Sequence, residues 1–503
     1  MPGTLTKNYE GQPAYQLPPA ERIIQMTISG FMQGSFYKGA SEHKNELNAL
    51  IETVGYSEGF DFIYKLSKWL RNEHNIRETP LYILAFVACN VDESARDNVR
   101  KAIANTLSRM DEPAKLIAHC KHIRGSMRNI PRSVYRGIAD YLSENLNQYT
   151  ASKYKRGADG FSLADVIKLS HFKPKDITQA MLAKAVIEDT LPPAETWETK
   201  ISTQGSYAET WNEAAKKMGF MALLRNLRNF VKHDAKEAIQ IAVDKLNNKQ
   251  EVLNSKQLPF RFFSALKALV TTPTSYGFYV PSIDYTNSIS TPLHKALANA
   301  LEYSLANLPD LGRTLCSADV SGSMNTALSQ KSTVTYMDIA TLFTAAYAHA
   351  NPKNSVASVF GNTFKTVELS KNSSIFNKME KLTNTQVGLS TNGYLVIQYL
   401  HQNNISKDTV LIFTDTQLYG GNSFYGDSSA IGKAWDLYRK QVNARAKLII
   451  FDLSSYGNTP VQTYPNNVIC LGGWSDRAME YLQYNITGFG QLVKEVRNYD
   501  DRK

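Results

Sequence analysis

Long apolar runs are missing from this 503-residue chain. No window approaches the roughly 20 consecutive apolar residues of a membrane helix, so no bilayer-spanning segment is expected. The opening stretch, residues 1–22, has no apolar core behind a basic start and is read as an extended, proline-containing arm rather than a secretory signal. Cysteine is scarce. Cys89, Cys120, Cys316 and Cys470 are scattered and form no C-x-x-C pair, which gives no support to zinc chemistry and leaves buried free thiols in a reducing cytosol as the expected state. The phosphate-binding pattern G-x-x-x-x-G-K-[ST] is absent. His349 and His401 have no Ser or Cys at a spacing that suggests nucleophilic catalysis, and no paired acidic cluster suggests two-metal phosphoryl transfer. These absences point to a cytoplasmic protein that is not an enzyme and has no membrane association.

What is present changes character along the chain. From about residue 17 to residue 308 the apolar positions recur with helical spacing, broken by Pro, Gly or polar turns. The clear pieces are 57–72, 80–89, 93–107, 132–147, 177–188, 220–230 and 235–247, a pattern of stacked helical hairpins without strict sequence repeat. In the fourth piece Val134, Ile138 and Leu142 stand at i, i+4 and i+8, one buried face beside a charged one. Beyond Pro309 short strands (313–319, 355–360, 409–415, 447–452 and 467–471) alternate with helices such as 336–350 and 393–402, which predicts a mostly parallel sheet covered on both faces. The fold class is therefore multidomain, α followed by α/β. The expected divisions are an arm over 1–16, a helical-repeat domain over 17–310 and an α/β domain over 311–503.

The net charge of +10 is unevenly placed. Between Pro113 and Lys175 there are twelve Lys or Arg against four acids, a concentrated field suited to polyanions through phosphate neutralisation and counterion release. Lys121, Arg124 and Arg128 stand at i, i+3 and i+7, and Arg132 and Arg136 at i and i+4, so each group can share a helix face. Lys153, Lys155, Arg156 and Lys173 continue the field, and Tyr154 and His171 are placed to stack on a base or, for His171, to bond a phosphate. The plainer alternative for any one of these cations is a solvated helix face.

A second constellation lies in the α/β half. Asp319-Val320-Ser321-Gly322-Ser323 follows an apolar strand and can aim a carboxylate and two hydroxyls at one cation. Ser390-Thr391-Asn392-Gly393 offers a further hydroxyl, and the run Val410 to Asp415 ends a buried-type strand in a carboxylate. Hydroxyls and carboxylates at strand ends suit magnesium, and open α/β sheets bind ligands there. The alternative is that Ser321 and Ser323 cap a helix and Asp415 merely ends a strand.

These segments carry a family resemblance. Asp319, Ser321, Ser323, Thr391 and Asp415 resemble the metal-ion-dependent adhesion site of von Willebrand factor A domains, where they would hold Mg2+ or another divalent cation, Asp415 directly or through water. Lys153 to Arg156 followed by Asp165 to Pro174 resembles the signature of the TROVE module of the Ro autoantigen family, and Met221 to Arg228 and Gly34 to Tyr37 fit it too. The chain is identified as a member of that family, of bacterial or phage type. The resemblance implies a HEAT-like helical ring closed by a Rossmann-like A domain. It also implies Y-like small noncoding RNA on a basic outer surface, ends of misfolded structured RNA in the hole, and an exoribonuclease tethered through RNA. An acidic protein ligand at the metal is the adhesion-type alternative. One departure stands out: the family pattern Gly-Gly-Thr-Asp is here Leu389-Ser390-Thr391-Asn392, so a neutral amide replaces an acid.

Overall fold

The computed structural model describes residues 4–8, 11–28, 40–192, 194–270, 289–328, 332–419, 429–454, 456–462, 467–472 and 489–499. Gly34 to Tyr37, which carry part of the family resemblance, lie outside the described residues, as do residues 420–428. Two compact units are present, and they do not follow chain order: residues 1–43 group with 206–491, and residues 44–205 with 492–503.

The second of these units is helical. Following α1 (Pro19–Ile28) and α2 (Ala40–Ser57) in the chain, it contains α3 (Phe60–Asn72), α4 (Glu78–Asn90), α5 (Arg96–Thr106), α6 (Glu112–Arg124), α7 (Arg132–Asn145), α8 (Gln148–Tyr154), α9 (Leu163–Ser170) and α10 (Ile177–Ile187). Val134, Ile138 and Leu142 of α7 are fully buried, as their spacing predicts. The helix carrying them lies against α5 at unusually short range. A β-carbon at Gly137 would stand 2.7 Å from the Arg100 carbonyl oxygen and 2.9 Å from Ile103, so only glycine fits. A buried ion pair, Arg71 with Glu112 at 2.8 Å, ties α3 to α6. Glu112 also accepts the amides of Ser108 and Arg109, so its charge is fully bonded inside the unit. The C-terminal helix Phe489–Arg497 completes this core through Leu492 and Val496, and Glu495 accepts the Trp69 indole N–H at 3.0 Å.

In the other unit, helices such as Phe220–Lys232 (Leu223, Leu224, Leu227 and Phe230 buried) precede the sheet. The N-terminal arm is a hairpin of β1 (Thr4–Lys7) and β2 (Pro13–Gln16), and β2 pairs antiparallel with β8 (Asn458–Thr459). The main sheet is built from β3 (Thr314–Asp319), β4 (Ser355–Phe360), β5 (Phe364–Thr366), β6 (Thr409–Thr414), β7 (Lys447–Asp452) and β9 (Val468–Gly472). Their order is β5-β4-β3-β6-β7-β9, parallel except for the short edge strand β5. Every residue of β3 and β6 is buried, as for central parallel strands covered on both faces. The register pairs Ala318 with Phe413 and Thr414 with Asp452, so Asp319, Asp415 and Asp452 all come to the carboxyl end of the sheet.

Candidate nucleic-acid interface and candidate metal centre

The helical unit holds a cavity of about 900 Å³. Arg128, Arg132, Arg136, His171 and Lys173 line it, joined by Arg100 and Lys168, while Tyr135, Met127, Ile130 and Leu169 give it apolar wall. Each cation arrives for a local reason. Arg132 and Arg136 occupy the face of α7 opposite Val134, Ile138 and Leu142. Arg128 sits in a short turn whose Ser126 hydroxyl accepts its amide at 3.3 Å. His171 ends α9 in the left-handed region at φ 49, which stops the helix and turns residues 171–173 outward. Asp140 is the lone carboxylate on the wall, and Arg100 engages both of its oxygens at 2.6 and 2.9 Å. Among the described residues no carboxylate forms an ion pair with Arg128, Arg132, Arg136, Lys168 or Lys173. The groove therefore carries a surplus of exposed positive charge, with planar guanidinium forks suited to phosphate.

The other expected cations lie outside the cavity lining. Lys121 holds its ammonium 5.8 Å from the Phe161 ring, and Arg124 donates to the Cys89 carbonyl. Lys155 pairs with Asp189 at 2.6 Å and donates to the Leu191 carbonyl, tasks that tie the chain together locally. Lys153 stands 5.7 Å from the rings of Tyr149 and Tyr154. Tyr154 is half-buried with Arg109 over its ring at 5.1 Å, and Arg156 is exposed. Arg100 and Lys168 were not singled out by sequence reasoning. Arg100 lies 28 positions before Arg128, and only the close packing of α5 on α7 brings it in.

At the carboxyl end of the sheet the five oxygen-bearing residues stand on three adjacent loops. Asp319 is fully buried, its Oδ2 accepting from the Thr414 hydroxyl at 2.7 Å and its Oδ1 from the Ser321 amide at 3.0 Å. The Ser321 and Ser323 hydroxyls lie 3.4 Å apart. Thr391 donates its hydroxyl to the Gln417 carbonyl at 2.6 Å, which leaves its lone pairs for a cation. Asp415 is 1% exposed. Burial, and then the charge of Asp415, push the Asp319 carboxyl up to about 7, against the lowering effect of the Thr414 and Ser321 bonds. Two carboxylates buried together favour either a proton or a cation. With three hydroxyls beside them the donor set is all oxygen, which fits a hard ion such as magnesium. Among the described residues no group of three or more His, Cys, Asp or Glu is arranged to hold a metal, so the hydroxyls are essential to such a site. Asn392 turns its Nδ2 to the Asn362 carbonyl at 3.1 Å. A carboxylate could not make that bond, so the departure from the family acid has a structural consequence. Thr414 was missed by sequence reasoning, although a hydroxyl just before Asp415 was in view.

Two family models match the chain in order: the TROVE domain over residues 189–291 and the Ro60 vWA domain over residues 313–484. The chain is a Ro-family protein. The chain is 19% identical over 493 residues to the RNA-binding protein RO60 of Deinococcus radiodurans, a match spanning 89% of each. The crystal structure of the Deinococcus radiodurans RO (RSR) protein superposes with a TM-score of 0.68 at 18% identity, covering 93% of this chain and all of that one, and shows the shared fold. A 78-residue stretch is 36% identical to telomerase protein component 1 of Rattus norvegicus, 15% of this chain and 3% of that protein. The four cysteines are buried and free. Among the described residues no helix is long and apolar enough to cross a membrane.

Proposed function

We propose that this Ro-family chain is a cytoplasmic, non-catalytic RNA-binding scaffold whose ligand is a Y-like small structured RNA held at the α5–α7–α9 groove. The carrying observation is the 900 Å³ cavity, where five Lys and Arg side chains face solvent without a carboxylate partner among the described residues. The likeness to a protein named for RNA binding supports the same class of ligand. Phosphates would meet Arg128, Arg132 and Arg136, while Tyr135 and His171 offer ring faces to an unpaired base. His349 meets Lys378 at 2.7 Å and His401 meets Gln441 at 2.6 Å, so neither histidine is set beside a nucleophile. Engagement of misfolded RNA ends, a role in RNA quality control and an RNA-tethered exoribonuclease belong to the same proposal and rest on the family resemblance. Equilibrium binding of a structured RNA across a salt series tests the groove. Charge reversal at Arg128, Arg132 and Arg136 is expected to abolish tight binding, and undiminished affinity in that variant would refute it.

A second function can coexist at the sheet end: magnesium-dependent docking of an acidic protein group. The buried Asp319 and Asp415, together with Leu389, 77% exposed three residues before Asn392, favour it. RNA-independent capture of a partner, dependent on magnesium and lost in Asp319→Ala, is the expected result. Capture that survives this substitution would count against it.

A further inference from the structure

The turn that follows β6 is strained and is held from two sides. Thr416 is a β-branched residue at φ 59, a left-handed conformation that its branched side chain disfavours. Its amide donates to the Thr414 hydroxyl at 3.1 Å and its hydroxyl to the Asp415 carbonyl at 2.8 Å. The next three residues are each tied down. Gln417 donates its amide to Asp415 Oδ1 at 3.3 Å and accepts the Thr391 hydroxyl. Tyr419 donates its amide to the Thr391 carbonyl at 2.9 Å. Leu418 gives its carbonyl to the Nδ2 of Asn8 at 3.0 Å, a contact spanning 410 positions.

Asn8 is 7% exposed and closes the N-terminal hairpin: its Oδ1 accepts the Gln12 amide at 2.8 Å and its carbonyl accepts the Gly11 amide. One side chain therefore fixes the hairpin with its oxygen and the strained turn with its nitrogen. The turn in turn aims two proposed cation ligands, Asp415 at its start and Thr391 through Gln417 and Tyr419.

We infer that the N-terminal hairpin is a strap for the cation site, with Asn8 as its positioning residue, and that cation occupancy and hairpin order are thermodynamically coupled. This extends the cation reading and depends on it. Supporting shells of this kind set metal affinity because they hold first ligands in a geometry those ligands would not keep alone.

Asn8→Asp separates the two roles of the side chain, since a carboxylate still accepts the Gln12 amide but has nothing to donate to Leu418. Magnesium affinity, measured by titration calorimetry well below the melting temperature, is expected to fall by about 10-fold or more. The added negative charge alone would raise it. In a Thr416→Gly background the turn is relieved, and the same substitution is expected to cost less than about threefold, a coupling that a general loss of stability would not produce. Reciprocity supplies a test in the unaltered protein: magnesium should slow hydrogen exchange in residues 4–16. Wild-type affinity in Asn8→Asp, or hairpin exchange indifferent to magnesium, overturns the strap while leaving the cation site standing. Absence of any magnesium binding by the wild type overturns both.

Discussion

The groove on the helical unit and the loop cluster at the sheet end each gather charge of one sign, yet they do so in opposite settings. Arg128, Arg132, Arg136 and Lys173 are exposed, so water and salt screen their mutual repulsion and the surplus costs the fold little. Asp319 and Asp415 are buried, so loss of water, and then their unscreened repulsion, push the Asp319 carboxyl up to about 7. An exposed surplus waits for a large, loosely matched polyanion. A buried one needs a small ion or a proton at a defined place. The two sites should therefore respond differently to salt, to pH and to single substitutions.

The largest effect is expected at the groove. Reversing Arg128, Arg132 and Arg136 to Glu should weaken binding of structured RNA by more than about 100-fold at moderate salt and flatten the dependence of affinity on salt, in gel-shift or filter-binding titrations. Thermal unfolding of this variant should stay close to wild type, because the three side chains form no ion pair among the described residues. Next comes Gly137→Ala. The new β-carbon meets the Arg100 carbonyl and Ile103 below 3 Å, so α5 and α7 must part, at about 1–3 kcal/mol of stability by denaturant titration. RNA affinity should fall with it, since Arg100 reaches the groove only through that packing.

At the sheet end the expected effects depend on the cation. Magnesium at a hundredfold excess over its dissociation constant should stabilise the wild type by about 2.7 kcal/mol, and Asp319→Ala should erase that gain without changing RNA affinity. Acidity adds a signed test. The Asp319 carboxyl has an ordinary value near 3.8 and is raised to about 7 in the fold. Without a cation, its contribution to stability is fully present below the ordinary value and is lost as pH rises through about 7. Melting temperature without magnesium should therefore fall over that window relative to Asp319→Asn, and magnesium should restore more of it at pH 8 than at pH 5.5. The smallest effect is expected at Lys155→Gln. This side chain is occupied with Asp189 and the Leu191 carbonyl, so RNA affinity should change by less than about threefold.

Much of the fold was legible because burial leaves a periodic trace. The predicted helix 336–350 and the strands 355–360 and 447–452 match the observed limits, and other ends moved by a residue or a few. That the five oxygen-bearing residues proposed as cation ligands come to the carboxyl end of the sheet was readable from a local pattern plus the strands around it. Short elements held by distant partners left no such trace. The edge strand β5 has three residues, and β1 and β2 are short strands that pair with each other, β2 also pairing with the distant Asn458–Thr459. The charge field was equally visible, but its division was not. Nothing local distinguishes Lys155, spent on the Leu191 carbonyl, from Lys173, which lines the groove. The pairing of α5 with α7 recruited Arg100, and no spacing within either helix announces it.

The most direct test of the groove as the functional surface is to sequence the RNA that co-purifies with the protein from its native host, beside the Arg128, Arg132 and Arg136 reversal variant. One or a few abundant structured RNAs, present with the wild type and missing from the variant, is the expected result. The same unselected RNA in both samples would contradict it.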